Sequence, residues 1–229
     1  MCWYLELGVD GQAFIEPQAD PSPNQRARPS RGRGRLTPSH HRLRFRVTAM
    51  KMYAGDPGRV CSVFPGRGYT PDRSLLYYCR MLLLDRGWTV REVWWADGDK
   101  TDSEAALTQA REELDAVSSG VHLVVAKSLG SFALPLAVER GLPGVWLTPI
   151  LTEASIAAAV RDLSAPSLLM GGTKDHLWNG EVARQSTADV LELEGADHSL
   201  EFGDSVGPSL AALQQVVGRV ATFVDRLGH

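Results

Sequence analysis

The sequence predicts an α/β fold, a doubly wound and mainly parallel sheet with helices on both faces. Three observations carry that expectation. Short apolar runs rich in β-branched residues alternate with stretches of roughly ten to fifteen residues whose apolar positions recur at helical spacing, as in βαβ units. One run, His122-Leu123-Val124-Val125-Ala126, is apolar without alternation, as expected of a strand buried on both faces. It passes through Lys127-Ser128-Leu129-Gly130 straight into Phe132 to Val138, which read as a buried helix despite Pro135.

Residues 1–48 are set apart by composition. Pro17, Pro21, Pro23, Pro29 and Pro38 lie among Ser, Asn, Gln and Arg, and no helical or strand period survives. We read this stretch as a disordered, basic Pro/Arg-rich extension and 49–229 as the domain. Its eight arginines outnumber four acids, so the domain is the acidic part of a chain whose net charge is -3. Arg26, Arg28, Arg31, Arg33 and Arg35 could form an arm for nucleic acid or another acidic partner. The alternative is a solvated extension ahead of a start at Met50 or Met52. No aromatic residue between Arg26 and Arg35 is available to stack on bases, which favours the second reading. No nucleic acid is expected to bind the folded domain.

From Arg59 the text becomes periodic. Val60 to Phe64 is a short strand, ended by Pro65-Gly66-Arg67-Gly68-Tyr69-Thr70-Pro71. Asp72 to Asp85 is a helix, with Leu75, Leu76, Cys79, Leu82 and Leu83 at helical spacing, closed by Arg86-Gly87-Trp88. Thr89 to Trp95 is a strand, 96–99 a polar loop, and Ser103 to Val117 a helix capped by Ser103. After the central strand come a strand at Gly144 to Leu147, an alanine-rich helix at Thr152 to Leu163 and a strand at Pro166 to Met170. A short helix at Gly180 to Gln185, a last strand at Val190 to Leu193 and an amphipathic helix at Ser209 to Leu227 complete the chain.

Composition narrows the class. With 229 residues, 44% of them hydrophobic, the chain can bury one sizeable core. No apolar run approaches the ~18 residues that cross a bilayer, and the N-terminus carries an early acid and no signal pattern. Cys2, Cys61 and Cys79 show no pairing or metal spacing, and His40-His41 has no companion ligands. The expectation is a cytoplasmic protein with no membrane partner, no metal and no cofactor. Gly66-x-Gly68 after a strand is not a dinucleotide fingerprint, because Pro71 stands where the third glycine should be. A Gly-Lys-Ser/Thr phosphate loop is also missing.

In a doubly wound sheet, reactive groups gather where strands end. Ser128 stands at a corner between strand and helix, with Ala126 and Gly130 small enough to let the two pass closely. Asp175 follows a strand in Thr173-Lys174-Asp175-His176-Leu177-Trp178. His198 follows the last strand in Glu194-Gly195-Ala196-Asp197-His198-Ser199-Leu200. A serine hydroxyl is a poor nucleophile until a base takes its proton, which an imidazole can do near neutral pH. A carboxylate fixes the ring's tautomer and steadies the imidazolium. Asp197 and Glu153 are rival acids and His176 a rival base, although His176 adjoins Asp175; His122 begins a buried strand and is structural. An oxyanion would need two donors: the backbone N–H of Leu129 and that of Arg67, ahead of Gly68 and Tyr69. Tyr69, Lys127 and Trp178 are candidate substrate contacts; Lys127 is equally placed to face solvent, and for Trp178 packing in the core is the commoner outcome for an aromatic.

From about Arg59 to Leu227 the chain resembles a compact α/β-hydrolase of the esterase and dienelactone-hydrolase-like kind. The marks are Ala126-x-Ser128-x-Gly130, a nucleophile elbow with alanine in place of its usual first glycine, then Gly171-Gly172-Thr173-x-Asp175 and Gly195-Ala196-Asp197-His198. The chain order Ser, Asp, His is also the one this fold uses. The resemblance implies a reduced α/β-hydrolase fold and a serine hydrolase acting on a carboxylic ester or related small acyl compound. Ser128 would be acylated, His198 would move the proton and Asp175 would orient it. Three departures stand out. Pro65 replaces the His of a common His-Gly pair, and the opening antiparallel strands have no clear counterpart before Arg59. Only one helix lies between Leu147 and Pro166, so no sizeable cap is expected. A non-catalytic scaffold for protein interaction and an acyltransferase would use the same residues; oligomeric state is not encoded in these motifs.

Overall fold

The structure is a computed structural model and describes residues 49–118 and 120–227. The arginine-rich stretch 1–48, with Cys2 and His40-His41, lies outside the described residues. Among the described residues, seven strands form one sheet: β1 (Ala49–Tyr53), β2 (Asp56–Phe64), β3 (Trp88–Trp94), β4 (Val121–Lys127), β5 (Gly144–Leu147), β6 (Ser167–Gly172) and β7 (Asp189–Leu193). Their order is β1-β3-β2-β4-β5-β6-β7; β1 runs antiparallel to β3, and every other pair is parallel.

Helices cover both faces. α1 (Ser74–Asp85) and α6 (Val206–Leu227) pack Leu75, Leu76, Leu83, Val216, Val220 and Phe223 on one face. Cys61 and Cys79 are free thiols buried in that layer. On the other face lie α2 (Ser103–Asp115), α3 (Leu134–Glu139), α4 (Ala154–Arg161) and α5 (Gly180–Arg184). β2 leads through α1 to β3 on one side, and β3 returns through α2 to β4 on the other. The strand order therefore reverses between β2 and β4, where the connections after the two strands leave toward opposite faces. A crevice opens at that point outside the C-terminal strand ends. Among the described residues, no helix is long and apolar enough to cross a membrane.

Four expectations are corrected. A strand does precede Arg59: β1 is an edge strand whose Met50 and Met52 stand exposed, and the first residues of β2 include Pro57 and Gly58, so neither carries an apolar pattern. The Tyr53 ring of β1 lies under the Arg80 guanidinium of α1, which also pairs with the fully buried Glu92 of β3 at 2.5 Å. α2 is capped by Asp102, whose carboxylate accepts the Ala105 N–H, and not by Ser103. The helix expected from Phe132 to Val138 starts at Leu134 as α3, and a 3-10 turn, Ser128–Ala133, precedes it. A continuous α-helix would need an N–H from Pro135, so α3 starts with that proline in its first turn. Finally, α6 begins at Val206, ahead of Ser209, because Pro208 is tolerated within a first turn.

A buried polar network ties β2, β4 and α2 together. The Ser62 hydroxyl donates to Glu113 Oε1 (2.8 Å) and lies 2.9 Å from His122 Nε2, while Arg91 grips Glu113 with two N–H groups. Burial, helped by Arg91 and Arg140 against the opposing pull of Glu113, lowers the His122 pKa from 6.5 to about 4. Between those values the unfolded chain binds a proton that the folded chain refuses. The associated stability is present above pH 6.5 and is lost as pH falls toward 4, roughly 3 kcal/mol in all. Urea midpoints at pH 7 and pH 4.5 should therefore fall further in the wild type than in His122→Gln; equal falls would contradict this account.

Candidate active site

Ser128 follows β4 immediately, with φ +49°. A non-glycine residue in that region is strained and persists only where its surroundings hold it. Here they do. Gly130 is pressed against β2, so that an added Cβ would stand 2.3 Å from the Phe64 carbonyl oxygen. Ser131 Oγ donates to the Ser128 carbonyl (2.5 Å) and accepts the Ile150 N–H (3.2 Å), tying the turn to the segment after β5. Ala126, in the usual glycine position, is fully buried.

The loops that carry Asp175 and His198 leave the sheet side by side because β6 and β7 are parallel neighbours. They are laced together: Thr173 N–H to Leu193 O (3.1 Å), Lys174 N–H to Ala196 O (3.0 Å) and Gly195 N–H to Thr173 Oγ1 (2.7 Å). Gly172 permits the close approach, since a Cβ there would lie 2.2 Å from Ala196 O. Asp197, one of the rival acids, shapes the histidine loop. Its Oδ1 accepts the N–H groups of Ser199 (2.8 Å) and Glu201 (3.0 Å), and Leu200 closes the turn at φ +59°. Glu153 and His176 are exposed.

Ser128, His198 and Asp175 form one hydrogen-bonded line. His198 Nε2 lies 2.7 Å from Ser128 Oγ, and His198 Nδ1 lies 2.7 Å from Asp175 Oδ2. With Nδ1–H donating to the carboxylate, Nε2 is the acceptor for the serine hydroxyl. Burial alone would raise the Asp175 carboxyl pKa. The His198 contact, the Leu177 N–H on Oδ1 (2.9 Å) and the nearby cation Lys127 outweigh it, holding the group below its ordinary value. Asp175 is therefore ionised at neutral pH.

The turn after β2 faces this line. Gly66 and Tyr69 exchange backbone hydrogen bonds, which occupies the Tyr69 N–H and leaves Arg67 and Gly68 at the centre of the turn. A Cβ on Gly66 would stand 3.3 Å from Ser128 Cβ, so the turn abuts the elbow. Pro65 turns its carbonyl inward to accept the Trp95 indole N–H (3.2 Å). Ser128 and His198 open into a cavity of about 530 Å³ whose lining is largely polar, including Arg67, Arg73, Ser74, Ser199 and Glu201.

The three candidate substrate contacts part company. Tyr69 lines the cavity, yet its hydroxyl accepts the Leu75 N–H (3.0 Å) at the start of α1, a capping role that spacing did not reveal. Lys127 does not face solvent: it is 1% exposed. Trp178 belongs to the core instead of the cavity lining. Its indole packs against Gly171 and donates to Glu192 (2.7 Å).

No family model matches the sequence, and no curated protein does. Solved structures do. Est1E from Butyrivibrio proteoclasticus is similar at a TM-score of 0.62 and 12% identity, over 80% of this chain and 96% of that one. A monoacylglycerol lipase from Paleococcus ferrophilus is similar at 0.59 and 13%, over 77% and 99%. An α/β serine hydrolase without a lid from Xanthomonas campestris is similar at 0.50 and 13%, over 78% and 88%. At these identities the likeness is one of fold.

The loop geometry carries its own prediction. Asp197→Ala strips the acceptor from two loop N–H groups, a loss of about 1–2 kcal/mol and of about 2–8 °C in thermal midpoint. Amide exchange at residues 199 and 201 should quicken; unchanged exchange there would mean that Asp197 does not hold the loop.

Proposed function

We propose, from the α/β-hydrolase fold that this chain adopts, that it is a serine hydrolase acting on a carboxylic ester or related small acyl compound. One observation carries the proposal: a serine on a strained turn, hydrogen-bonded to an imidazole that is itself hydrogen-bonded to a buried, ionised carboxylate. Ser128 Oγ attacks the acyl carbonyl while His198 Nε2 takes the hydroxyl proton, and Asp175 steadies the resulting imidazolium. The carbonyl π electrons move onto oxygen, and the N–H groups of Leu129 and Arg67 receive that charge. When the intermediate collapses, His198 returns the proton to the leaving alcohol. Water then repeats the sequence on the acyl-enzyme, releasing the acid and restoring Ser128.

The cavity supports a substrate class. Its polar, charged lining offers little compensation for burying a long aliphatic chain, so a short or hydroxylated acyl group suits it better. Est1E binds ferulic acid, whose acyl group carries a hydroxyl.

Nitrophenyl acetate should be hydrolysed with higher kcat/KM than nitrophenyl decanoate. Ser128→Ala should lower kcat/KM by at least about 10⁴-fold. Equal rates in both proteins would remove the proposal. A fluorophosphonate that fails to label Ser128 in folded protein would favour a non-catalytic scaffold, and acyl transfer to an added alcohol in preference to water would mark an acyltransferase.

A further inference from the structure

Lys127 precedes the candidate nucleophile, and no step of the proposed chemistry uses it. A lysine is rarely buried so completely without a carboxylate in direct contact. Its ammonium instead donates to two neutral acceptors, Thr148 Oγ1 (3.1 Å) and the backbone carbonyl of His198 (3.0 Å), and stands 4.5 Å above the Tyr69 ring. A methionine could occupy much the same space without the cost of desolvating a charge. What the lysine adds is a set of links.

Those links join separate parts of the site. The lysine's own backbone is the last residue of β4, and its carbonyl abuts Gly66 of the turn after β2. Thr148, buried and held at φ +44°, directly follows β5, which lies between β4 and β6. The His198 carbonyl belongs to the loop after β7, and Tyr69 closes the turn that faces Ser128. One ammonium therefore connects the nucleophile's strand to the loop that carries the base, across the end of β5.

Resting on the serine-hydrolase reading, we propose that Lys127 is a positioning residue: its buried ammonium fixes the His198 backbone so that Nε2 stays within hydrogen-bond reach of Ser128 Oγ. The groups facing it are Asp175 from the loop after β6, His198, Asp197 and Glu201 from the loop after β7, and Tyr69 from the turn after β2. Burial lowers the lysine's pKa to about 8 against the raising pull of Asp175, Asp197 and Glu201. Burial also raises the Tyr69 phenol, which stays neutral there. Deprotonation weakens the donor, so Ser128 reactivity declines as pH rises through about 8.

The test follows fluorophosphonate labelling of Ser128 in the full chain between about pH 6 and 9.5 in the wild type, Lys127→Met and Thr148→Val. A misplaced base slows the reacting step more than it weakens binding. In Lys127→Met we expect kinact about tenfold lower at pH 7.5, KI within about twofold and no decline near pH 8. Thr148→Val, which removes one acceptor, should lose about threefold and keep the decline. Circular dichroism establishes that each variant is folded; should Lys127→Met not fold, Thr148→Val carries the test alone. Wild-type labelling with unchanged kinact and pH profile in every folded variant overturns the inference alone. A wild type that is not labelled at all overturns the hydrolase reading and this inference with it.

Discussion

The structure depends on one constraint: the chain must reverse from β4 into a helical turn within a single residue, and that residue is Ser128. Holding a non-glycine residue at φ +49° costs about 1–3 kcal/mol. The cost is met by contacts that leave little freedom to relax. Gly130 lies against the Phe64 backbone, Ser131 bonds both the Ser128 carbonyl and the Ile150 N–H, and β4 is paired on both sides by β2 and β5. Strain at this position is what raises the hydroxyl out of the sheet toward the strand ends.

The remaining parts of the site follow from strand order. Because β6 and β7 are parallel neighbours, the loops bearing Asp175 and His198 emerge together and bond to each other before either reaches Ser128. Because order reverses between β2 and β4, the turn at 66–69 lies beside the elbow and leaves room for a cavity. Polar groups in this region are arranged as shared supports. Asp197 folds the histidine loop, Asp175 carries the charge that faces the ring, and Lys127 sits where the elbow, the end of β5 and the histidine loop come together.

Much of this was legible in the sequence, for reasons that differ by element. Strands β4, β5 and β6 are buried on both faces, so unbroken apolar runs mark them, and Ser128, Asp175 and His198 stand in the short segments that follow strand ends, where candidates for a site are to be sought. β1 escaped because an exposed edge strand has no apolar period. The 3-10 turn escaped because Phe132 to Val138 has helical apolar spacing, and Pro135 alone marks the break. Lys127 and Trp178 were the harder cases. Whether a long side chain points toward solvent, substrate or core depends on partners such as Thr148 and Glu192, distant in sequence, and no local pattern encodes them. Asp197 and Asp175 are alike as residues. Only the hydrogen bonds of the folded loops separate the one that shapes a turn from the one that faces the imidazole.

The central claim is that Ser128 is activated for covalent attack, and a trapped acyl-enzyme tests it most directly. Folded protein mixed with a short-chain ester, quenched in acid during turnover and digested should carry one acyl group, on the peptide containing Ser128, and lose it as the ester is exhausted. Ester turnover with no adduct at any time, or with the acyl group on another residue, would contradict the account.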